Sequence, residues 1–359
     1  MINGRLRILV VDDSAYNRKM IRAILLEMED VASVKVVSDG EAAIRAVMTD
    51  TPDLITLDLN MPRMDGFTFL RWLMQNHPLP VVVVSADGGE KNVFKALDLG
   101  VLDFVVKPLR YASERIVEIK EELQTKVRAM AGKDMAPYLG RLRSAKPVRE
   151  RVKVSGKPAA GAHTKGVLVV GASTGGPSAV QRVLAQLPIT FPLPVIVVQH
   201  MPPVFTKQFG MRLGKNTVFD SKEAEDGDLL TPGRVLVVPG GYHLKIAGLP
   251  SASVKLVKKK EGDRFVPSID ITMASAAAVY RKRSLGVLLT GMGNDGARGM
   301  LEIRSAGGRT IAESEETTVV FGMPKAAIRN GAVEVTLPLN AISGRIEKMA
   351  REICRLKNE

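Results

Sequence analysis

From Ile8 to Pro108, short apolar runs alternate with amphipathic stretches. RILVV, ASVKVV, DLITLDL, PVVVVS and DFVVKP have the length and β-branched content of strands, while RKMIRAILLEM, EAAIRAVMT, GFTFLRWLMQ and NVFKALDLG repeat their apolar positions at helical spacing. Five strands alternating with helices predict a parallel sheet covered on both faces, with functional groups in the crevice at the strands' carboxyl ends. A last helix is expected from about Ser113 to Met130.

The alternation then lapses. AGKDMAPYLGRLRSAKPVRERVKVSGKPAAGAHTK is rich in Pro, Gly, Ala and basic residues without clear periodicity, which reads as a mobile linker. It resumes at GVLVVG and runs through SAVQRVLAQL, PVIVVQH, FTKQFGMRL, RVLVVPGGYHLKI, SIDITMASAAAVY, LGVLLTGMG and GARGMLEIRSAG. This half should be a second doubly wound α/β domain, mostly parallel, with an antiparallel hairpin over 235–257. The expected organisation is a first domain over 1–125, a basic linker over 126–165 and a second domain over 166–355.

Bulk properties narrow this picture. A length of 359 residues suits two hydrophobic cores better than one, and 45% apolar content excludes a disordered chain. The single cysteine, Cys354, cannot form an internal disulfide, which fits a reducing compartment. The N-terminal apolar run is short and ends in two aspartates, unlike a secretion signal, and no apolar stretch approaches the roughly 20 residues that span a bilayer. A cytoplasmic protein is expected. The formal charge of +13 is distributed as −2 over 1–110, +7 over 111–165 and +8 over 166–359. Much of the excess therefore falls between the domains, where it is either solvated or docks on an acidic surface.

Candidate chemistry in the first half sits at carboxyl ends. Asp12 and Asp13 follow the first strand, Asp58 closes the third, Ser85 the fourth, and Lys107 follows the fifth. Three carboxylates in one crevice repel each other unless a cation sits among them, and an oxygen-only donor set suits Mg2+. Such an ion would offset charge on a transferring phosphoryl group while Lys107 pairs with one of its oxygens, so Asp58 makes sense as the nucleophile. VVDDS, LDLNMPRMDG, VVVVS and FVVKP, in this order and spacing, resemble response-regulator receiver domains over residues 6–125. The resemblance implies a flavodoxin-like (βα)5 receiver phosphorylated on Asp58, with Mg2+ held at Asp12, Asp13 and Asp58, and with Ser85 and Phe104 as the pair that repacks on phosphorylation.

In the second half, Gly171-Ala172-Ser173-Thr174-Gly175-Gly176 follows a strand and precedes a helix that Pro177 can start. It fits a G-x-S-x-G nucleophile elbow. A Gly-rich turn after a strand can also cradle a phosphate, although neither G-K-[ST] nor G-x-G-x-x-G is present. A serine nucleophile needs a base and an orienting acid. Of four histidines, His77 lies in the first domain and His163 in the linker, leaving His200 and His243. A parallel sheet sets the end of the His200 strand beside that of Ser173, whereas His243 lies inside the hairpin segment, so His200 is the better base. Asp295, in the Gly-rich LLTGMGNDG loop, is the candidate acid. The order Ser, His, Asp excludes the α/β-hydrolase family, in which histidine comes last.

GASTGG, QHMP, TPGRVLVVPGGYHL, SIDITMASAA, TGMGNDGARGM and VFGMPKAAI together resemble the catalytic domain of the chemotaxis protein-glutamate methylesterase family, CheB, over residues 166–350. The resemblance implies Ser173 as nucleophile, His200 as general base and acid, Asp295 as orienting carboxylate, Thr174 and Met292 as backbone neighbours of the oxyanion, and His243 as a structural or rim residue. It also implies a phosphorylation-activated hydrolase that demethylates methyl-glutamates of chemoreceptors and deamidates certain glutamines, with no cofactor for ester hydrolysis. Its partners would be methyl-accepting receptors and a chemotaxis histidine kinase as phosphodonor, with the membrane met only through receptor arrays and no nucleic acid bound. The alternative is a response regulator whose output domain binds a partner or a nucleic acid without catalysis. Against it stand the three residues suited to hydrolysis, a scattered positive charge, and the lack of a helix-turn-helix pattern or aromatic stacking motif in the second half.

Overall fold

The computed structural model describes residues 5–85, 90–107, 113–143, 164–248 and 252–356. Residues 1–145 and 146–359 form two compact units. Among the described residues, no helix is long and apolar enough to cross a membrane.

The first unit runs β1 (Leu6–Val11), α1 (Ala15–Leu26), β2 (Val31–Val37), α2 (Gly40–Thr49), β3 (Leu54–Leu57), α3 (Gly66–Asn76), β4 (Val81–Ser85), α4 (Glu90–Asp98), β5 (Asp103–Val106), α5 (Ser113–Met130) and α6 (Ala136–Arg143). Its five strands are all parallel in the order β2-β1-β3-β4-β5. Every residue of β3 is buried, as a strand covered on both faces requires. The helices after β1, β2 and β3 begin with side-chain caps, in which Ser14, Asp39 and Asp65 accept from the backbone N–H of Asn17, Ala42 and Thr68.

Part of the expected linker is folded. Helix α5 continues to Met130, and α6 follows with Met135, Tyr138 and Leu139 buried. The Tyr138 hydroxyl donates to Val101 O (3.3 Å), and Leu139 packs where a Cβ on Gly100 would come within 2.7 Å of it. A helix of eight residues has too few turns for its apolar face to register as periodicity, but a few well-placed contacts dock it. Residues 144–163, which include His163, lie outside the described residues.

The second unit runs β6 (Val167–Ala172), α7 (Gly176–Ala185), β7 (Val195–Gln199), α8 (Pro203–Asn216), β8 (Asp220–Glu223), β9 (Arg234–Val237), β10 (Tyr242–Ala247), β11 (Ser253–Lys258), α9 (Ile269–Tyr280), β12 (Ser284–Leu288), α10 (Ala297–Ser305), β13 (Arg309–Glu313), α11 (Met323–Arg329), β14 (Val335–Leu337) and α12 (Leu339–Arg355). Seven strands form a parallel sheet in the order β14-β13-β12-β6-β7-β9-β8. The chain leaves β6 toward β7 on one side and later fills β12 on the other, so the strand order reverses at β6. A crevice opens outside the carboxyl ends at such a reversal. The hairpin is shorter than expected: β9 belongs to the parallel sheet, and the antiparallel pair is β10–β11, in register from Tyr242↔Lys258 to Ala247↔Ser253. Pro239, Gly240 and Gly241 end β9 and redirect the chain between the two.

Close approach at Gly66 holds the start of α3 against the loop after β3. A Cβ there would lie 2.3 Å from Asp58 O and 2.7 Å from Leu59 Cα, both backbone atoms that cannot rotate away. Gly66→Ala should therefore destabilise the first unit by about 1–3 kcal/mol. Urea unfolding followed by the fluorescence of Trp72, the only tryptophan and a residue of α3, measures this. An unchanged midpoint would refute the close-approach argument.

Candidate active site

Register places the first unit's acids. Val11 pairs with Leu57 across β1 and β3, so Asp12 and Asp58 emerge side by side one step later. Asp12, Asp13 and Asp58 each bring a carboxylate oxygen to within 4.8 Å of the others. Asp12 and Asp58 are buried, and Asp13 is exposed. Lys107 Nζ lies 2.5 Å from Asp58 Oδ2 and 2.7 Å from Asp12 Oδ2. Burial pushes the Asp12 carboxyl above its ordinary range against the pull of Lys107, with the Asp58 charge adding to the rise. Burial also works against the Lys107 charge, but the Asp12 and Asp58 carboxylates beside it hold its ammonium above the ordinary lysine value. Asp12 Oδ2, although near Lys107, makes no well-angled hydrogen bond. An oxygen-only set with such an acceptor fits a hard divalent cation.

Of the expected switch residues, Phe104 is buried in β5. Lys126 of α5 donates to its carbonyl (2.5 Å) and lies 5.5 Å from its ring centroid. Burial disfavours the Lys126 charge, yet Asp103 and Glu122 outweigh it and raise the ammonium to about 12. Ser85 ends β4 opposite Val106, and its side chain lies outside the described residues.

In the second unit, Ala172 pairs with Gln199 across β6 and β7, so Ser173 and His200 leave adjacent strands together. The turn after Ser173 closes through Gly176 N donating to Ser173 O (2.8 Å). Gly175 adopts φ 76°, which suits glycine, and a Cβ on Gly176 would come within 2.1 Å of the Gln199 side chain. His200 Nε2 lies 2.8 Å from Asp295 Oδ2. Asp295 arrives on the loop after β12, the neighbour of β6 on its other side. It also accepts from Ser268 Oγ (3.0 Å), Ile269 N (2.7 Å) and Asp270 N (3.0 Å) at the start of α9. Burial opposes ionisation of Asp295, but the His200 contact and the two backbone N–H groups hold its carboxyl below the usual range. Since Nε2 is engaged by the carboxylate, Nδ1 is the nitrogen of His200 available to take a proton. Among the described residues, neither His200 Nδ1 nor Ser173 Oγ makes a hydrogen bond. Such contacts often close only with substrate bound.

Thr174 is buried, and its carbonyl accepts from Thr290 Oγ1 (2.9 Å). Met292 follows Gly291, where a Cβ would lie 2.8 Å from Ser173 Cβ, so its backbone passes close to the serine. His243 does not join this crevice, because its Nε2 bonds Asp263 Oδ2 (2.9 Å).

Four residues that sequence reasoning did not single out complete the site. Gln199 Nε2 donates to both Ser173 O (2.8 Å) and His200 O (3.1 Å), tying the two strand ends together. Phe265 stacks on the His200 ring, with centroids 5.1 Å apart and planes 4° from parallel. Ser268 caps α9 and bonds Asp295, while Thr290 O accepts from Ser173 N (3.0 Å). Gln199 was within reach, as the polar residue at the end of an apolar strand. Ser268 stands directly before a helical run, where a cap is expected, whereas Phe265 lies where the pattern is irregular and carries no such signal.

Comparison with known proteins finds matches to both halves of the chain. The family model described as CheB methylesterase matches residues 168–346, and that of the response regulator receiver domain matches residues 8–120. A Geobacter sulfurreducens protein named protein-glutamate methylesterase/protein-glutamine glutaminase 3 is 43% identical, covering 95% of this chain and 96% of its own. A Pyrococcus horikoshii protein of the same name without a number is 38% identical over 99% of this chain and 96% of its own. Among solved structures, the Thermotoga maritima CheB methylesterase catalytic domain is 41% identical with a TM-score of 0.50, covering 51% of this chain and 97% of that one.

Asp295 makes a signed prediction about acid stability. Its folded value lies below the ordinary 3.8, so its contribution is fully present above the unfolded value and is lost as pH falls through the folded one. The melting temperature of the unaltered chain should exceed that of Asp295→Asn at pH 7, and the difference should shrink as pH drops below about 4. A difference that stays constant down to pH 2 would mean that the carboxylate charge is not what stabilises the loop.

Proposed function

Because this chain belongs to the CheB methylesterase family and carries a response-regulator receiver domain ahead of its methylesterase domain, we propose that it removes methyl groups from methyl-glutamate residues of chemotaxis receptors and deamidates particular glutamines, under the control of phosphorylation at Asp58. The observation that carries the reading is the juxtaposition at the strand-order reversal: Ser173 and His200 on adjacent strand ends, and Asp295 on His200 Nε2 at 2.8 Å. The family favours this over an output domain that only binds a partner or a nucleic acid.

In the proposed mechanism, Ser173 Oγ attacks the ester carbonyl while His200 Nδ1 takes its proton. Asp295 holds the Nε2–H tautomer and stabilises the imidazolium that forms. Backbone N–H groups of Thr174 and Met292, near the serine, would meet the developing oxyanion. Methanol departs with the proton from His200, leaving an acyl-serine. A water molecule then gives a proton to His200 as it attacks the acyl carbon, and His200 returns that proton to Ser173 Oγ as the acyl bond breaks, releasing glutamate. With a glutamine substrate, ammonia is the leaving group. No cofactor enters these steps.

In the receiver, Asp58 would accept the phosphoryl group from a chemotaxis histidine kinase. Lys107, 2.5 Å from Asp58 Oδ2, would pair with a phosphoryl oxygen. Asp12, Asp13 and Asp58 would hold Mg2+, which when bound offsets the charge on that group. Ser85 and Phe104 would be the pair that responds. We assign residues 1–125 to the receiver, with α6 as an added helix, and 166–355 to the catalytic domain in a cytoplasmic protein.

Methanol release from methylated receptor membranes, with and without Mg2+ and a small phosphodonor, tests the reading. Release should rise with phosphodonor, fall by about 10^3-fold or more in Ser173→Ala, and lose its stimulation in Asp58→Asn. Methanol released at the same rate by Ser173→Ala would sink the hydrolytic assignment.

A further inference from the structure

We propose that His243 and Asp263 are positioning residues for His200, acting through the segment 263–268. The inference rests on the reading of Ser173, His200 and Asp295 as the hydrolytic set.

His243 is 3% exposed on β10, and both of its ring nitrogens are used. Nδ1 accepts from Ser268 N (3.2 Å), so the proton sits on Nε2 and is donated to Asp263 Oδ2 (2.9 Å). That same oxygen accepts from Lys260 N (2.7 Å). The imidazole therefore ties residue 263 to residue 268 across a short segment with no regular hydrogen-bond ladder.

Two contacts reach His200 from within or beside that segment. Phe265, between the tied ends, stacks on the His200 ring 5.1 Å away, with its other neighbour the Arg264 guanidinium 5.3 Å from its centroid. Gly293 leaves room for the Phe265 ring, since a Cβ there would approach it to 3.3 Å. Ser268, at the far end, has its N–H on His243 and its Oγ on Asp295 (3.0 Å), next to the N–H groups of Ile269 and Asp270 that hold the same carboxylate. The ring face of His200 is thus set by Phe265 and its Nε2 by Asp295, and both depend on where the segment is held. An apolar side chain in place of His243 could fill the space, but it would leave Ser268 N unpaired in a buried site and Asp263 without its tether.

Asp263 gives the cleaner test because it is exposed, so its loss should spare the fold. Asp263→Ala removes the acceptor for His243 and Lys260, whereas the side-chain carbonyl of Asp263→Asn can accept both. The readout is the labelling rate of the full chain by a fluorophosphonate. Ser173 Oγ forms a bond to phosphorus, fluoride leaves, and His200 takes the hydroxyl proton, without need of the natural substrate. Asp263→Ala should label about tenfold more slowly at an unchanged melting temperature, and Asp263→Asn should recover to within about twofold to threefold. On methylated receptor, kcat should fall with KM nearly constant. Wild-type labelling rates in Asp263→Ala, equal loss in the Ala and Asn variants, or a rise in KM alone would each overturn the inference. Failure of the unaltered chain to label faster than Ser173→Ala would instead overturn the hydrolase reading on which it rests.

Discussion

An unpaired carboxylate withdrawn from water costs several kcal/mol, and Asp295 is 3% exposed. Its four donors come from two places: His200 at the end of β7, and Ser268, Ile269 and Asp270 at the start of α9. The His200 contact, together with the N–H groups that the N-terminus of α9 leaves open, holds the carboxyl below its usual range, and among the described residues no Lys or Arg forms an ion pair with it. In the proposed mechanism that matters, because a cation in this position would compete with the imidazolium formed on His200. Much of the second unit follows from this requirement. Helix α9 must begin where the loop after β12 ends, and β6 must lie between β7 and β12 so that serine, histidine and acid converge.

The first unit meets the opposite electrostatic problem with a related sheet. Its acids crowd together with one half-buried ammonium, Lys107, between two of them. The Asp12 carboxyl is pushed up where Asp295 is held down. A site left short of positive charge is suited to taking up a cation, whereas the saturated environment of Asp295 is suited to staying as it is. Parallel strands deliver side chains to one rim in both units, and what differs is whether that rim is completed by the protein's own donors.

How much of this is legible in the sequence depends on how each residue is held. The alternation of strands and helices, and with it both parallel sheets, is carried by apolar periodicity. Asp12, Asp58, Ser173 and His200 follow apolar runs directly, so a reader who locates the strands also locates them. Asp295 is harder, since it lies several residues past β12, but glycines on both sides mark a loop that can turn inward. Helix α6 escapes because it is short, and the hairpin starts later than the pattern suggests because only Pro239-Gly240-Gly241 divides the apolar run of β9 from β10. Phe265, the contact of Ser268 with Asp295 and the role of His243 are illegible for a different reason. They depend on tertiary contacts between a loop, a hairpin strand and a distant strand end, and no local pattern encodes such a meeting.

His200 and His243 show why residue type alone could not assign the base. Each has Nε2 beside an aspartate oxygen, at 2.8 and 2.9 Å, and either could be mistaken for half of a catalytic pair. The second nitrogen separates them. His243 Nδ1 already accepts the Ser268 N–H in a buried setting, so adding a proton there would set two donors against each other. His200 Nδ1 has no such partner among the described residues, so in the proposed mechanism it takes up a proton as the hydroxyl of Ser173, on the adjacent strand end, attacks and returns it to the leaving group. On the proposed roles, the same pairing with a carboxylate serves as a tether in one histidine and as activation in the other, according to whether the remaining lone pair is spent on the backbone.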